Sequence, residues 1–144
     1  RCWGEGPRAV FVMLNPSTAD AEADDPTIRR CIGFARREGV GGLTVINLFA
    51  YRATNPSALH AVVDPVGPAN SLVVAQVLAE ARKSGAPVIA AWGVHGELRG
   101  RGRALANEAA AMDLPLWCLG VTKGGTPRHP LYVSGRQPLE RWPA

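Results

Sequence analysis

The feature that most limits how this chain can fold is a set of four short apolar runs that contain almost no polar residues. They cover residues 9–14, 43–49, 87–92 and 115–119. A strand exposed on one face alternates polar and apolar residues, whereas a strand covered on both faces is apolar nearly throughout. The four runs therefore predict strands of a parallel sheet that is covered by helices on both faces.

The segment after the first run has clear helix signals. Asp25 is a suitable N-cap, Pro26 suits the first helical position, and Gly39 follows the last residue that fits the pattern, Glu38. Apolar residues recur at helical spacing between these limits. The sequence therefore predicts a helix from Pro26 to about Glu38.

Two further segments predict helices. One covers about residues 69–84 and ends before Gly85, and the other lies within residues 98–113 and is helical from about Arg103. Residues 50–68 between the second run and the next helix contain three prolines and predict a long loop. Strands that alternate with helices predict a three-layer α/β/α sandwich around a four-stranded, mainly parallel sheet.

The length of 144 residues fits one domain, residues 1–144. The chain starts at Arg1 rather than Met, which is compatible with a missing native N-terminus. No apolar run approaches the roughly 18 to 20 residues that a transmembrane helix needs, so we expect no membrane partner. The three cysteines are far apart and lack a CxxC spacing, which disfavours a metal site or disulfides and favours the cytoplasm.

The net charge is +4, and only two of the 16 basic residues are lysines. The planar guanidinium of arginine suits phosphate or carboxylate, so a nucleic acid or a nucleotide is the partner class that the charge indicates. An arginine-rich surface without a ligand is the alternative. The sequence gives no indication of the oligomeric state, and we expect no cofactor.

Polar loops follow all four apolar runs. Their sequences are "NPSTAD", "YRATNPS", "GVHGE" and "GVTKGGTPRHPLYVS". The segments that precede the runs are shorter and chemically plainer. Because the carboxyl ends of parallel strands meet at one edge of a sheet, we expect the four loops to lie together. The sequence therefore predicts a ligand site at this edge.

Three longer motifs identify a family resemblance. The stretches "FVMLNPSTADAEADDPTIRRC", "NLFAYRATNP" and "GTPRHPLYV" resemble a family of small, mostly bacterial proteins known only as a domain of unknown function. The resemblance covers nearly the whole chain. It implies family membership and no particular activity.

Four shorter motifs occur in an order similar to that of the uracil-DNA glycosylase superfamily. In this sequence they are Asn15–Pro16 after the first run, Asn47 in the second, "VIAAWG" in the third and His129–Pro130 in the final loop. That superfamily has a base-reading Asn on its second strand and a His-Pro motif in its final loop. The resemblance implies a uracil-DNA-glycosylase-like fold with a nucleobase site.

The resemblance also assigns roles to the candidate residues. Asn47 would read a pyrimidine edge, since an amide donates and accepts side by side, and His129 would stabilise negative charge on a departing base. Asn15 or Asp20 would position or activate the attacking water. The candidates for ligand binding are Pro16, Ser17 and Thr18 in the first loop, Phe49 and Tyr51 for base stacking, and Arg52, Lys123 and Arg128 for phosphate.

Several candidates also have a purely structural explanation. The stretch Asn15–Ser17 is compatible with a simple turn, and Asp24–Asp25 with helix capping, which leaves Asp20 as the preferred carboxylate. Asn47 either contacts a ligand or ties down a neighbouring loop, because a buried amide needs hydrogen-bond partners. Trp92 is assigned to the core.

The sequence departs from the glycosylase pattern at two motifs. The loop after His129–Pro130 continues "LYVS", where many glycosylases have Ser-Pro-Leu-Ser, and the first motif is not the Asp-Pro-Tyr-His of the most active members. Because an Asn side chain is not a general base at neutral pH, catalysis would depend on positioning or on an aspartate.

Three functions are therefore compatible with the sequence. The first is a DNA glycosylase-like hydrolase of an N-glycosidic bond. The second is a non-catalytic module on the same fold that binds nucleic acid or a nucleotide. The third is a hydrolase or transferase for another phosphorylated small molecule. No GxGxxG or P-loop motif follows the first run, which disfavours a dinucleotide or ATP enzyme.

Overall fold

The structure is a computed structural model and describes residues 1–16, 26–52, 55–62, 64–67 and 69–143. The strands are β1 (Arg8–Met13), β2 (Gly42–Asn47), β3 (Val88–Ala90), β4 (Leu116–Cys118) and β5 (Glu140–Trp142). The helices are α1 (Pro26–Arg37), α2 (Ala58–Ala61), α3 (Asn70–Ser84) and α4 (Arg101–Ala111). Two 3-10 segments cover Val94–Gly100 and Pro130–Tyr132.

The strands form one sheet in the order β2-β1-β3-β4-β5. The first four are parallel, as the unbroken apolar runs predict, and β5 is antiparallel to β4. The prediction of four strands is wrong in number. The fifth strand has only three residues and its exposed or half-exposed side chains form no apolar run, so periodicity could not reveal it.

Helices cover both faces of the sheet, in three layers. Alternate residues of β1 point to opposite faces, so Phe11 packs with Phe34 of α1, and Val12 packs in the core that contains Leu78 of α3 and Leu105 of α4. The helix α1 connects β1 to β2 on one face, and α3 connects β2 to β3 on the other. The two connections diverge at β1 and β3, which makes this the switch point where open α/β sheets bind ligands.

The predicted helix limits agree closely with α1 and α3, whereas Asp25 lies outside the described residues. Gly85 ends α3 with φ 77° and ψ 13°, and its N–H donates to Ala81 O at 2.9 Å. Glycine reaches this left-handed conformation without strain, which explains why the helix stops there. The predicted loop over residues 50–68 is interrupted by the four-residue helix α2.

The helix α4 begins at Arg101, two residues before the predicted start, and its second residue, Gly102, packs against Trp92. Trp92 is only 2% exposed, which confirms its assignment to the core, and its ring meets that of Trp142 edge-on at 5.2 Å between centroids. Gly96 and Gly102 lie directly against the Trp92 indole. Glycine has a low helix propensity, but at these two positions the absence of a Cβ atom allows the backbone to pack closely against the indole.

None of the three cysteines forms a disulfide: Cys31 and Cys118 are buried and Cys2 is exposed. Burial raises the pKa of the Cys118 thiol, the backbone hydrogen bond from Gly120 partly offsets the increase, and the charge of Glu140 adds to it. No helix of the described residues is long and apolar enough to cross a membrane.

The raised pKa of Cys118 predicts a loss of stability at alkaline pH. A thiol whose folded pKa is raised contributes stability below its unfolded pKa, and this contribution is lost as the pH rises. We expect the free energy of unfolding to fall as the pH rises above the ordinary thiol pKa of about 8.5, and to continue to fall through the raised pKa of the Cys118 thiol. Urea titrations should show a smaller fall for Cys118→Ala. An equal fall in both proteins would exclude this contribution.

Candidate functional site

Asn15 follows β1 and ties its loop to the loop after β2. The Asn15 side-chain Nδ2 donates to Tyr51 O at 3.1 Å and to Pro16 O at 3.2 Å. Pro16 is half-buried beside it. The structure thus brings together two loops that the sequence placed at one edge, and gives the Asn15 amide a role in holding them.

Asn47 is the last residue of β2 and lies beside Met13 of β1. Because Leu43 and Val45 pack on the α1 side of the sheet, the alternation of the strand places the Asn47 side chain on that side too. It is half-buried, and its amide makes no hydrogen bond within the described part of the chain. A sheltered amide that makes no hydrogen bond to the described residues, at the end of a strand, is suited to bind a ligand.

Two residues outside the predicted site support the end of β2 through its backbone. Asn70 Nδ2 donates to Asn47 O at 2.9 Å and to Leu48 O at 3.2 Å. Arg101 Nε donates to Leu48 O at 3.4 Å. The first residues of α3 and α4 therefore fix the position of Asn47. Nothing in their local sequence signals this role, because it depends on contacts between distant segments.

His129 lies against the chain that leaves β3. Gly93 has φ 76° and ψ −170°, a conformation that is essentially restricted to glycine, and its N–H donates to Pro127 O at 3.0 Å. A Cβ atom on Gly93 would lie 3.5 Å from His129 Cβ. Since β1 separates β2 from β3, Asn47 and the chain after β3 that contacts His129 lie on either side of the end of β1.

The ring of His129 is held by the 3-10 turn Pro130–Tyr132. The N–H of Leu131 donates to His129 Nδ1 at 3.2 Å, and the N–H of Tyr132 donates to His129 O at 3.0 Å. Because Nδ1 accepts a hydrogen bond, the neutral ring carries its proton on Nε2. His129 can therefore act as a hydrogen-bond donor through Nε2.

The loop after β4 carries the two basic candidates Lys123 and Arg128. Hydrogen bonds within the loop shape it: Thr122 N donates to Thr126 O at 2.9 Å, and Arg128 Nε donates to Val121 O at 3.0 Å. Lys123 and Arg128 are both exposed, as is Arg52 after β2. The three cations are thus accessible at the same edge of the sheet.

The two aromatic candidates differ in exposure. Phe49 is fully buried in the core, whereas Tyr51 is 43% exposed. Tyr132, which the sequence did not single out, is 77% exposed, and its ring centroid lies 5.6 Å from that of His129. Of the seven large apolar side chains exposed in the described residues, five lie at the carboxyl edge: Tyr51, Val94, Val121, Leu131 and Tyr132.

Part of the predicted first loop lies outside the described residues. This applies to Ser17, Thr18 and Asp20, and also to Asp24 and Asp25. The described loops that surround the carboxyl edge are those after β1 as far as Pro16, after β2, after β3 and after β4.

A groove of about 1100 Å³ lies at the opposite edge of the sheet. Pro87 and Pro115, which precede β3 and β4, form part of it, and Arg37, Arg82 and Arg136 line its sides. This groove is open, and its lining combines the cations with the carboxylates of Glu38 and Asp113. The carboxyl edge has the switch point and the polar groups for ligand recognition, so we place the candidate site there.

Within the described ranges, no three His, Cys, Asp or Glu side chains form a group that could hold a metal ion. No curated protein and no solved structure matches the chain. A family model described as "Protein of unknown function (DUF1643)" matches residues 1–131. The chain therefore belongs to the DUF1643 family.

Proposed function

We propose that the carboxyl edge of the sheet binds a nucleobase or nucleotide and that the protein is a DNA glycosylase-like hydrolase of an N-glycosidic bond. The observation that carries the proposal is the Asn47 amide, which is half-buried beside the switch point and makes no hydrogen bond to the described residues. An amide presents one donor and one acceptor side by side, which matches the edge of a pyrimidine.

The groups around Asn47 supply the other requirements of nucleobase recognition. Tyr51 and Tyr132 present exposed rings on which a base can stack. Arg52, Lys123 and Arg128 are exposed cations that suit phosphate oxygens. Phe49 is buried and is therefore not part of the proposed site, so we assign base stacking to these two tyrosines.

His129 would assist departure of the base. In N-glycosidic hydrolysis the C1′–N bond breaks, its electron pair stays on the base, and water adds to C1′ with loss of a proton. A hydrogen bond from His129 Nε2–H would stabilise the negative charge that develops on the base. Asp20 is our candidate to accept the proton of the water, because an Asn side chain is not a base at neutral pH.

One observation favours the alternative of a non-catalytic module that binds nucleic acid or a nucleotide. The Asn15 amide donates to the carbonyls of Pro16 and Tyr51, so it holds a loop in place. An amide engaged in this way is a weaker candidate for positioning a water. The alternative keeps the ligand site and removes the hydrolytic step.

Thermal unfolding with and without ligands tests the proposed site. The ligands are free bases, nucleosides, nucleotides and short single- and double-stranded DNA. We expect one nucleobase class to raise the melting temperature. At 100 times its Kd, the ligand should increase the free energy of unfolding by about 2.7 kcal/mol. Asn47→Ala should lower the affinity for that ligand at least about tenfold, since the substitution leaves the buried edge of the base without a hydrogen-bond partner.

Asn107→Ala is the matched control, because Asn107 lies on the exposed surface of α4. It should bind the ligand like the wild type. Stabilisation by no nucleobase compound would contradict the proposal. Equal stabilisation of the wild type and Asn47→Ala would place the ligand elsewhere.

A further inference from the structure

Arg30 connects α1 to the loop that carries His129. The Arg30 side chain is half-buried, its Nε donates to Pro130 O at 3.3 Å, and a terminal nitrogen donates to Val133 O. Its guanidinium carbon lies 5.6 Å from the centroid of the Phe34 ring on the next turn of the same helix. Arg30 is therefore held between the helix and the loop.

The two carbonyls that Arg30 binds belong to the first residue of the turn that orients His129 and to the residue that follows this turn. The turn Pro130–Tyr132 contains the N–H of Leu131, which donates to His129 Nδ1 at 3.2 Å. Its position depends on the backbone between Pro130 and Val133, and Arg30 contacts both of these residues. A displacement of the turn would break the hydrogen bond that determines which ring nitrogen carries the proton.

We propose that Arg30 is a positioning residue that fixes the orientation of His129 and keeps its neutral ring in the Nε2–H form. The effect of Arg30 on the His129 ring is independent of the proposed function, whereas its consequence for binding or catalysis rests on that function. Two donors in the fixed geometry of one guanidinium reach both carbonyls, which a lysine with a single ammonium on a flexible chain would not reproduce.

Arg37 provides a matched comparison within the same loop. It also lies on α1, donates to the carbonyls of Gly135 and Gln137, and lies 5.0 Å from the centroid of the Phe34 ring. Its contacts fall after the turn, so they attach the loop to the helix without holding the Leu131 N–H. Arg30 and Arg37 thus make similar contacts at different distances from His129.

The experiment records nitrogen NMR spectra of the histidine rings in the wild type, Arg30→Lys and Arg37→Lys. The pH is set about two units above the ordinary histidine pKa of about 6.5, so that the neutral forms dominate. His129→Gln identifies the signals of His129. Thermal unfolding of each variant shows that it is folded.

We expect the wild type and Arg37→Lys to hold His129 in the Nε2–H form. In Arg30→Lys the ratio of the two neutral forms should shift by about fivefold towards Nδ1–H, the factor that one hydrogen bond contributes. An unchanged ratio in Arg30→Lys, or an equal change in Arg37→Lys, would overturn the proposal. If Arg30→Lys does not fold, Arg30→Gln replaces it. An unchanged ratio in Arg30→Gln, or an equal change in Arg37→Lys, would then overturn the proposal.

Ligand binding is measured separately, so the two proposals can fail independently. If the wild type binds a nucleobase, Arg30→Lys should lower the affinity for that ligand about fivefold, and Arg37→Lys should leave the affinity unchanged. If the wild type binds none, the proposed function fails, while the change of His129 in Arg30→Lys still tests the role of Arg30.

Discussion

Gly96→Ala is expected to destabilise the protein by about 3 kcal/mol, at the upper end of the usual cost of overpacking a core. A Cβ atom on Gly96 would lie 1.8 Å from Trp92 Cδ1 and 2.3 Å from Trp92 Nε1. The indole cannot move away easily, since it is almost fully buried and packs against the ring of Trp142. The 3-10 segment after β3 would have to shift instead.

Two other glycines provide a graded control in the same urea titration. A Cβ on Gly102 would lie 2.9 Å from Gly96 O and 3.2 Å from the Trp92 ring, so Gly102→Ala should cost less than Gly96→Ala. Gly33 is exposed in α1 with no atom within 4 Å of its added Cβ. Gly33→Ala should stabilise the protein by about 0.5–1 kcal/mol. A different order of the three changes in the free energy of unfolding would contradict the close packing around Trp92.

If the protein is the proposed hydrolase, His129→Ala is expected to reduce hydrolysis of the N-glycosidic bond by about 100- to 1000-fold, the usual effect of removing one donor to a developing anion. Because Nδ1 accepts the N–H of Leu131, the neutral ring has a single donor, Nε2–H. The measurement is release of free base from modified DNA and from nucleosides. Binding of the intact ligand should weaken far less than turnover.

Asn107→Ala is the control for this variant. Asn107 lies on the exposed surface of α4 and has no role in the proposed site, so base release by Asn107→Ala should stay close to that of the wild type. Base release by His129→Ala at the wild-type rate would contradict the role of His129. Ligand binding by the wild type without any base release would favour the non-catalytic module.

The sequence predicted those parts of the fold that depend on local pattern. The unbroken apolar runs indicated parallel strands, and Pro26 and Gly85 marked helix limits that the structure confirms. The position of Trp92 in the core was likewise predictable from an apolar run. These features depend on burial and on backbone preferences that neighbouring residues already express.

Features that depend on contacts between distant segments could not be predicted. The strand β5 pairs with β4 through the backbone and has no apolar run. Arg30 lies within the helix predicted from Pro26 to about Glu38, and its side chain contacts carbonyls about 100 residues later in the chain. The burial of Phe49 and the exposure of Tyr132 depend on the packing of the loops, which the composition of each loop does not determine.

The most direct test of the ligand site is to map it by NMR. Backbone amide shifts of ¹⁵N-labelled protein are followed during titration with deoxyuridine and with a short uracil-containing single strand. We predict the largest changes at Asn47, Gly93 and Leu131 on the carboxyl edge, with little change at Gly85 and Asp113 in the opposite groove. Changes confined to that groove, or none with either ligand, would contradict a nucleobase site at the carboxyl edge.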